Sequence, residues 1–246
     1  MNIGAIIQSF ETCTSTNDLA KALAEEGAEE GTVVLAGEQT EGRGTKGRSW
    51  HSPRGKGLYA SVILRPKQLD ISLLPLMAGV ACAEALLRAA GLEVRLKWPN
   101  DILWRKKKLG GILCESGFLG NAVVYAVLGL GLNVSQKKRD FPEELRPSAT
   151  SLRLILHKEV DRGRLELSLW QALNSWYRVF SLGRKEEVIR AFESKFIVPI
   201  GKVINIKKID ATFSGVFLGI DSQGRLRLRR EGRQFLLSPA EIQSIE

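Results

Sequence analysis

Apolar residues recur with two different periods along the first half of the chain, and together they predict a sheet interleaved with helices. Helical spacing follows the Ser15-Thr16-Asn17-Asp18 segment as far as Gly27, and it returns from Ser72 to Ala90, where Gly91 ends it. Helix capping is the simplest interpretation of the first polar segment. Alternating or short apolar runs predict strands at 3–12, 32–36, 58–66, 94–99, 101–104, 108–116 and 121–134, with 105–108 as a hairpin tip.

The pattern changes at Pro199, which predicts a domain boundary. Before it, residues 161–182 and 185–196 have helical spacing. After it, four short alternating runs separated by glycine turns indicate a small β-barrel. We therefore predict an α+β chain, with a mixed or antiparallel sheet in residues 1–198 and a barrel in residues 199–246.

Composition limits the classes of protein to consider. With 44% hydrophobic residues, the 246-residue chain has enough apolar side chains for a core. No apolar run reaches the roughly 20 residues that span a bilayer, and the amino terminus lacks a signal-peptide pattern, so we expect a cytoplasmic protein without a membrane segment. Cys13, Cys82 and Cys114 are odd in number and far apart, which argues against a disulfide framework or a zinc site.

The net charge of +9 has three explanations at this stage: a nucleic acid, anionic small substrates, or an acidic protein partner. Positive residues cluster at 43–56, 105–108 and 225–233. No helix-turn-helix or RNP pattern accompanies the clusters, so charge alone leaves the three explanations open.

The strongest candidate for ligand binding is a glycine–arginine loop, residues 38–50. Its one apolar residue is Trp50, so it contributes little to a core. Its three glycines permit close backbone approach, and Arg43, Lys46 and Arg48 supply charge suited to phosphate or carboxylate. The loop also matches G-x-G-x-x-G, but a helix-poor segment follows where a dinucleotide fold would begin a helix. The alternative is a solvated surface loop.

Further candidate residues lie in turns and strands. Asn100 and Asp101 follow Pro99, where they are either ordinary turn residues or ligands. Lys108 precedes two glycines, and residues 129–133 place glycines inside a strand, where they usually mark close approach of another group. No G-x-S-x-G nucleophile motif is present. Cationic loops with one carboxylate suit phosphoryl chemistry by positioning, with Mg²⁺ joining through carboxylate and phosphate.

Taken in order, these segments resemble the biotin protein ligases, also called biotin–acetyl-CoA-carboxylase ligases. The resemblance covers nearly the whole chain. It implies a class II synthetase-like catalytic domain on a seven-stranded mixed sheet (1–198), followed by an SH3-like barrel (199–246). The segments that carry it are Ser15-Thr16-Asn17, Gln39 with residues 42–50, K-W-P-N-D at 97–101, the K-L-G-G-I-L-C-E-S run from Lys108, and G-L-G-L-N at 129–133.

The resemblance also implies an activity. Such an enzyme forms biotinyl-5′-AMP from biotin and ATP with Mg²⁺, and it transfers biotin to a lysine of a biotin carboxyl carrier domain. Lys108, Arg43 and Asp101 would be the catalytic group, and Asp101 would also hold the metal. The residues expected to bind biotin are Ser15, Thr16, Asn17, Gln39, Gly42, Arg43, Gly44, Thr45, Lys108, Gly111, Gly129 and Gly131. Those expected to bind ATP are Arg43, Lys46, Arg48, Trp50, Asn100, Asp101 and Asn133.

One loop position departs from the family's pattern. The family's loop usually reads G-R-G-R, and Thr45 occupies the position of the second arginine. Either Lys46 substitutes for that arginine, or the adenylate is retained less well. Because the loop has little to pack on, we expect residues 41–55 to close only over bound ligand.

The expected partners follow from the same resemblance. Only fourteen residues precede Ser15, too few for the winged helix-turn-helix of members that repress transcription. We therefore expect a monofunctional enzyme without specific DNA binding, either a monomer or a homodimer. Two alternatives remain: a lipoate-type acyl ligase, whose R-R-x-S-G-G-G signature is absent, and a nucleic-acid-binding protein, which the net charge would favour.

Overall fold

The computed structural model describes residues 2–67, 71–120, 122–208 and 211–245. The first of its two sheets has seven strands in the order β1-β2-β3-β7-β6-β5-β4. Strands β1 and β2 pair in parallel and the other neighbours pair antiparallel, which confirms the predicted mixed sheet. The strands are β1 (Ile7–Cys13), β2 (Val33–Gln39), β3 (Gly57–Leu64), β4 (Arg95–Lys97), β5 (Asp101–Trp104), β6 (Lys107–Leu119) and β7 (Ala122–Asn133).

Helices cover both faces of this sheet. On one face, α2 and α4 pack together over the main core, which continues beneath α5. On the other face, α1 covers a smaller apolar cluster that includes Ala20, Ile63 and Val127. The sheet is therefore buried on both sides, although α1 leaves part of its face uncovered. The helices are α1 (Thr16–Glu25), α2 (Leu74–Ala90), α3 (Leu152–Leu156), α4 (Arg162–Ser181) and α5 (Lys185–Lys195).

The second sheet follows in the order β11-β10-β9-β8-β12 and is antiparallel. It rests on the first unit: the buried Trp98 indole donates to the Gly224 carbonyl (2.8 Å), and the Phe196 and Phe217 rings lie 5.1 Å apart. The boundary at residue 199 stays a prediction. The strands are β8 (Val203–Lys207), β9 (Thr212–Ile220), β10 (Leu226–Arg230), β11 (Arg233–Leu237) and β12 (Ser244–Ile245).

Element bounds differ from the sequence predictions in two places that matter. Strand β1 begins at Ile7 rather than residue 3, because Gly4, with φ of +86°, turns the chain first. The hairpin tip after β5 is shorter than predicted, since only Arg105 and Lys106 lie in the turn. Lys108 therefore lies within β6, not at a loop tip. Helix α3 and strand β12 were not predicted. No helix in the described residues is long and apolar enough to span a membrane.

Candidate active site

A cavity of about 270 Å³ lies on the α1 side of the first sheet, and the strand register explains its floor. Gly131 of β7 pairs with Gly111 of β6, and Gly129 pairs with Ser61 of β3. These residues share the face on which Val127 supports α1, because side chains of a strand alternate between faces. The face therefore changes from apolar side chains to glycines where the cavity begins.

The cavity gathers most of the predicted site residues. Those that line it are Ser15, Thr16, Asn17, Gln39, Arg43, Gly44, Thr45, Arg48, Trp50, Asn100, Lys108, Gly111, Gly129, Gly131 and Asn133. Three others lie outside its lining. Gly42 lies beneath the backbone of Trp50, Asp101 contacts Lys108, and Lys46 extends its ammonium to the Ile242 carbonyl near the second sheet.

Gln39 of β2 caps the amino terminus of α1. Its Oε1 accepts from the backbone N–H of Thr16 (2.8 Å) and from the Thr16 hydroxyl (3.0 Å), while its Nε2 donates to the Ser52 hydroxyl (2.9 Å). The predicted capping by the polar segment is thus wrong for Ser15, whose side chain makes no cap hydrogen bond. The buried Ser15 side chain instead lines the cavity.

Asn17 is buried at the inner end of the cavity and is held from two sides. Its Oδ1 accepts from the Ser61 hydroxyl (2.6 Å), and its Nδ2 donates to Glu115 Oε2 (2.7 Å). A Cβ at Gly129 would lie 2.3 Å from Asn17 Oδ1, a separation too short for real atoms. Gly129 is therefore required for this position of Asn17.

Two carboxylates and two cations form a cluster beside Asn17. Arg43 makes a two-pronged contact with Asp18 (2.5 and 2.6 Å) and lies 3.5 Å from Glu115, and Lys21 pairs with both carboxylates (3.1 and 3.0 Å). Hydrogen bonding from Arg43 is the main cause that lowers the pKa of Asp18 to about 2. Burial alone would raise the pKa of Glu115, but hydrogen bonds from Asn17 and Lys21 lower it below its ordinary value.

Lys108 faces the cavity because the register of β5 and β6 shifts there. Ile102 pairs with Gly110 but Leu103 pairs with Lys108, so the strand bulges, and bulges commonly redirect a side chain. The Lys108 ammonium lies 2.6 Å from Asp101 Oδ1 and 5.5 Å from the centre of the Trp50 ring. Positive charge, an aromatic face and a carboxylate thus meet at one wall.

Trp50 covers the glycine floor from above. A Cβ added at Gly131 would lie only 2.6 Å from atoms of the Trp50 indole ring. The buried indole Nε1 has no hydrogen-bond partner in the described part of the chain. Unpaired buried donors are uncommon in folded proteins. The site therefore offers a ligand one free donor at this point.

The tip of the glycine–arginine loop folds on itself as a short hairpin. Arg43 and Ser49 form an isolated bridge, and the Gly44 N–H donates to the Arg48 carbonyl (2.7 Å). The Arg48 guanidinium donates to the Thr45 hydroxyl (3.1 Å), so Thr45 supports a cation rather than supplying one. Lys46 adopts a left-handed conformation, with φ of +60°.

Two predicted asparagines stabilise the cavity wall through backbone groups. Asn100 Nδ2 donates to the Ile112 carbonyl (2.9 Å), and Asn133 Nδ2 donates to the Thr150 carbonyl (2.9 Å). Gln136 in turn donates to Asn133 Oδ1 (3.0 Å). In this structure, therefore, both residues position strands and loops around the cavity.

Sequence reasoning missed several residues at the site. The sequence pattern predicts Asp18 as part of a helix cap, and it gives Glu115 and Ser61 no feature that separates them from ordinary strand residues. The position of Glu115 carried a signal, because it lies four residues from Gly111 on the same strand, and Gly111 lines the cavity. The far wall was not predicted from its loop sequence, and it consists of Phe141, Leu145, Ser148 and Ala149.

Chemically, the cavity is suited to an anionic, partly apolar ligand. Its lining combines the amide and hydroxyl groups of Thr16, Asn17 and Gln39 with the cations Lys108, Arg43 and Arg48. Such a site can orient two anions and stabilise charge on oxygen. Among the described residues, no group of three or more His, Cys, Asp or Glu side chains is placed to hold a metal ion.

Comparison with known proteins places the chain in a family of protein ligases. Residues 9–133 match the biotin/lipoate A/B protein ligase family, and the chain belongs to that family. This stretch contains the three sheet strands that form the floor of the cavity, as well as the glycine–arginine loop.

Curated relatives narrow the comparison. The chain is 38% identical over 223 residues to the bifunctional ligase/repressor BirA of Bacillus subtilis, covering 89% of this chain and 67% of that protein. It is 34% identical over 236 residues to the biotin--[acetyl-CoA-carboxylase] ligase of Mycobacterium tuberculosis, covering 93% of this chain and 85% of that protein. Among solved structures, biotin protein ligase from Aquifex aeolicus in complex with biotin and ATP superposes on this chain with a TM-score of 0.83 at 30% identity. The match covers 98% of this chain and 99% of that one.

Proposed function

We propose that the chain is an ATP-dependent biotin protein ligase that forms biotinyl-5′-AMP and then biotinylates a carrier protein. The observation that carries the proposal is that Lys108 lines the same cavity as the polar residue Asn17 and the loop cation Arg48. The similarity to ligases described with biotin and ATP supports the choice of substrates.

The first half-reaction joins two anions. A biotin carboxylate oxygen attacks the α-phosphorus of ATP, the bond to the bridging oxygen breaks, and pyrophosphate leaves. The Lys108 ammonium lowers the repulsion between carboxylate and phosphate, and Arg48, which lines the cavity, is the proposed phosphate ligand of the loop. Arg43 and Lys46 would have to leave Asp18 and the Ile242 carbonyl to join it. In the second half-reaction the carrier lysine amine attacks the acyl carbon, and AMP leaves with the electron pair of the broken C–O bond.

Biotin is proposed to lie along the glycine floor. Its polar ring would meet Ser15, Thr16, Asn17 and Gln39, whose amides and hydroxyls are already oriented by one another. Its chain would cross Gly111, Gly129 and Gly131, where the strands carry no side chain. Gly42, Gly44 and Thr45 would border this path from the loop.

The nucleotide is proposed to occupy the side of Trp50, Asn100 and Asn133. The free Trp50 indole N–H suits an acceptor atom of the ligand. Asp101 supplies the kind of ligand that Mg²⁺ takes when it arrives with phosphates, namely a single carboxylate. Bound Mg²⁺ would supply charge neutralisation for the phosphates.

The acceptor is proposed to be the biotin carboxyl carrier domain of a biotin-dependent carboxylase, because two relatives are biotin--[acetyl-CoA-carboxylase] ligases. We also infer that the first unit is the class II synthetase-like catalytic domain. The five antiparallel strands β8–β12, with a short 3-10 turn before the last, support an SH3-like barrel for the second unit.

Lys108→Ala tests the proposal. We expect biotin-dependent pyrophosphate release to fall by roughly a hundred-fold or more, because one aimed charge-stabilising donor contributes about that much. Lys107→Ala is the matched control, since this exposed neighbour begins the same strand outside the cavity. Release should stay near normal in the control.

A comparison of the two acids as substrates distinguishes a biotin ligase from a lipoate ligase, since the family name includes both. Pyrophosphate release should require biotin and should not occur with lipoate at the same concentration. Release by Lys108→Ala at the wild-type rate, or release that requires lipoate, would contradict the proposed function.

A further inference from the structure

Two hydroxyls and two amide oxygens form a chain of hydrogen bonds at the polar part of the cavity. The Thr16 hydroxyl lies 3.0 Å from Gln39 Oε1 and 2.8 Å from the Ser61 hydroxyl. The Ser61 hydroxyl in turn lies 2.6 Å from Asn17 Oδ1. An amide oxygen only accepts and each hydroxyl has one proton, so two protons serve three contacts, and one contact lacks a proton.

This shortage of protons determines what the chain of hydrogen bonds offers to a ligand. A hydroxyl that turned its proton towards the cavity would leave a second contact without one, so both protons stay within the chain. The Thr16 hydroxyl, whose residue lines the cavity, can then only accept. A ligand N–H can donate to it, whereas a ligand oxygen at the same place would face oxygen with no proton between them.

The shortage exists only while both ends of the chain present oxygen. The Gln39 end is fixed by the backbone, because its Oε1 also accepts from the Thr16 N–H (2.8 Å). The Asn17 end is fixed by Glu115, whose Oε2 accepts from Asn17 Nδ2 (2.7 Å). Because a carboxylate cannot donate, it keeps the nitrogen of Asn17 on its own side and leaves the oxygen to Ser61.

We propose that Glu115 is a positioning residue that makes this part of the cavity selective for a ligand ring with N–H donors. Glu115 does not itself line the cavity, and it acts through Asn17 and Ser61 on Thr16. The inference rests on the proposed function, because the donors would be the two urea N–H groups of the biotin ring. The dithiolane ring of lipoate has no such donor.

Glu115→Gln should reverse the chain of hydrogen bonds. The other oxygen of Glu115 accepts from Lys21 at 3.0 Å, whereas Arg43 lies farther away, at 3.5 Å. The new amide should therefore keep its oxygen on Lys21 and turn its nitrogen towards Asn17. Asn17 must then rotate to present oxygen to that nitrogen, so its own amide nitrogen donates to Ser61. The chain then has three protons for its three contacts, and no contact lacks one.

Isothermal titration of the full chain with biotin and its two cyclic carbamate analogues tests the proposal. Each analogue has a ring oxygen in place of one N–H. Wild type should bind biotin at least about ten-fold more tightly than the weaker analogue, because that oxygen would meet the Thr16 oxygen. In Glu115→Gln the ratio should fall to about three-fold or less. Glu115→Asp, which keeps a carboxylate, should retain most of the selectivity.

Two controls separate the effect on Asn17 from a general effect of charge. Glu26→Gln makes the same change at an exposed carboxylate at the end of α1. Lys21→Met removes the other partner of Glu115 but leaves Asn17 its acceptor. Both variants should keep the wild-type ratio of affinities. The wild-type ratio in Glu115→Gln would overturn the proposal.

Wild type alone keeps the test informative should Glu115→Gln fold poorly. Equal affinity for biotin and both analogues would overturn the proposal without any variant. Pyrophosphate release separates the selectivity from the proposed function. Selective binding of biotin without pyrophosphate release would refute the proposed function and leave the selectivity intact. Release supported equally by biotin and by both analogues would refute the selectivity and leave the ligase activity intact.

Discussion

At the scale of single residues, Lys108 is paired with a carboxylate beside an aromatic ring. Its ammonium lies 2.6 Å from Asp101 Oδ1 and beside the face of Trp50. The carboxylate and the aromatic face both favour the charged ammonium, so together they orient Lys108 at the cavity wall. Under the proposed function, a substrate anion would compete with Asp101 for this ammonium.

The Asp18–Arg43 contact gives stability a predictable dependence on pH. The pKa of Asp18 is lowered from 3.8 to about 2 in the folded protein, mainly by hydrogen bonding from Arg43. A lowered folded-state pKa means that the contact contributes stability above pH 3.8 and loses it as pH falls towards 2. Asp18→Asn should therefore be less stable than wild type at neutral pH, by less than about 1 kcal/mol because the pair is partly exposed.

Urea unfolding of wild type and Asp18→Asn between pH 7 and pH 3 measures this dependence. The difference in free energy of unfolding should be constant down to about pH 5 and should narrow below pH 4. Glu26→Gln should show no such narrowing. A difference that stayed constant across the whole range would contradict the lowered pKa.

Residue types at the site were largely predictable, whereas their partners were not. Lysine, arginine and glycine at unusual positions indicate anion binding from sequence alone, and most of those residues line one cavity. The capping of α1 by Gln39 was not predictable, because Gln39 lies 23 residues from Thr16 and reaches it only after β2 and α1 have packed together. The pairing of Arg43 with Asp18 was hidden for the same reason.

At the scale of elements, the two faces of β7 line different parts of the protein. Leu128, Leu130 and Leu132 belong to the main core, whereas Gly129 and Gly131 face the cavity. Strand alternation makes this division possible, because one backbone supports two unrelated surfaces.

Gly131→Ala tests the cavity face of β7. The new Cβ would lie 2.6 Å from the Trp50 ring, so the indole must move out of the site. We expect ligand affinity to fall about ten-fold or more, with a smaller effect on the melting temperature, since Trp50 belongs to neither of the two buried apolar clusters. Isothermal titration with biotin and thermal melting measure the two effects.

Gly163→Ala is the control for Gly131→Ala. In the first turn of α4, a Cβ would lie no closer than 3.5 Å to a neighbouring heavy atom, and alanine favours helix over glycine. The affinity of Gly163→Ala for biotin should be the same as that of the wild type. Normal biotin affinity in Gly131→Ala would show that Trp50 does not have to stay on the glycine floor for binding.

Helices and strands were predictable from the sequence where the element was long enough to repeat its apolar pattern several times. Helices α2, α4 and α5 lie within one or two residues of the predicted bounds, because a buried face repeats several times in each. Short elements were less predictable. The two-residue β12 and the five-residue α3 are too brief to show a period, and the bulge that places Lys108 appears only once β5 and β6 pair.

At the scale of the whole molecule, the two sheets share a core. The main apolar cluster runs from the first sheet through Phe192 and Phe196 of the first unit to Ile204, Phe217 and Leu228 of the second. The Trp98–Gly224 hydrogen bond lies in this junction. A continuous core implies that the units unfold together in one transition.

Trp98→Phe tests this coupling. It leaves the Gly224 carbonyl without its buried donor, so the free energy of unfolding should fall by about 1–3 kcal/mol. Urea unfolding followed by circular dichroism and by exchange of β9 amides should give one coincident, shifted transition. Trp104→Phe, half-buried within the first sheet, should shift it less. Two separate transitions would show that the units are independent.

The two faces of β7 also determine how the chain tolerates change. Substitutions at Leu128, Leu130 and Leu132 reduce how much folded protein accumulates, since those side chains lie in the main core. Substitutions at Gly131 should act mainly on ligand binding, because the added Cβ meets Trp50, which belongs to neither buried apolar cluster. A mutational map scored separately for abundance and for ligand binding should therefore change along this strand, with abundance responding at the leucines and ligand binding responding at Gly131.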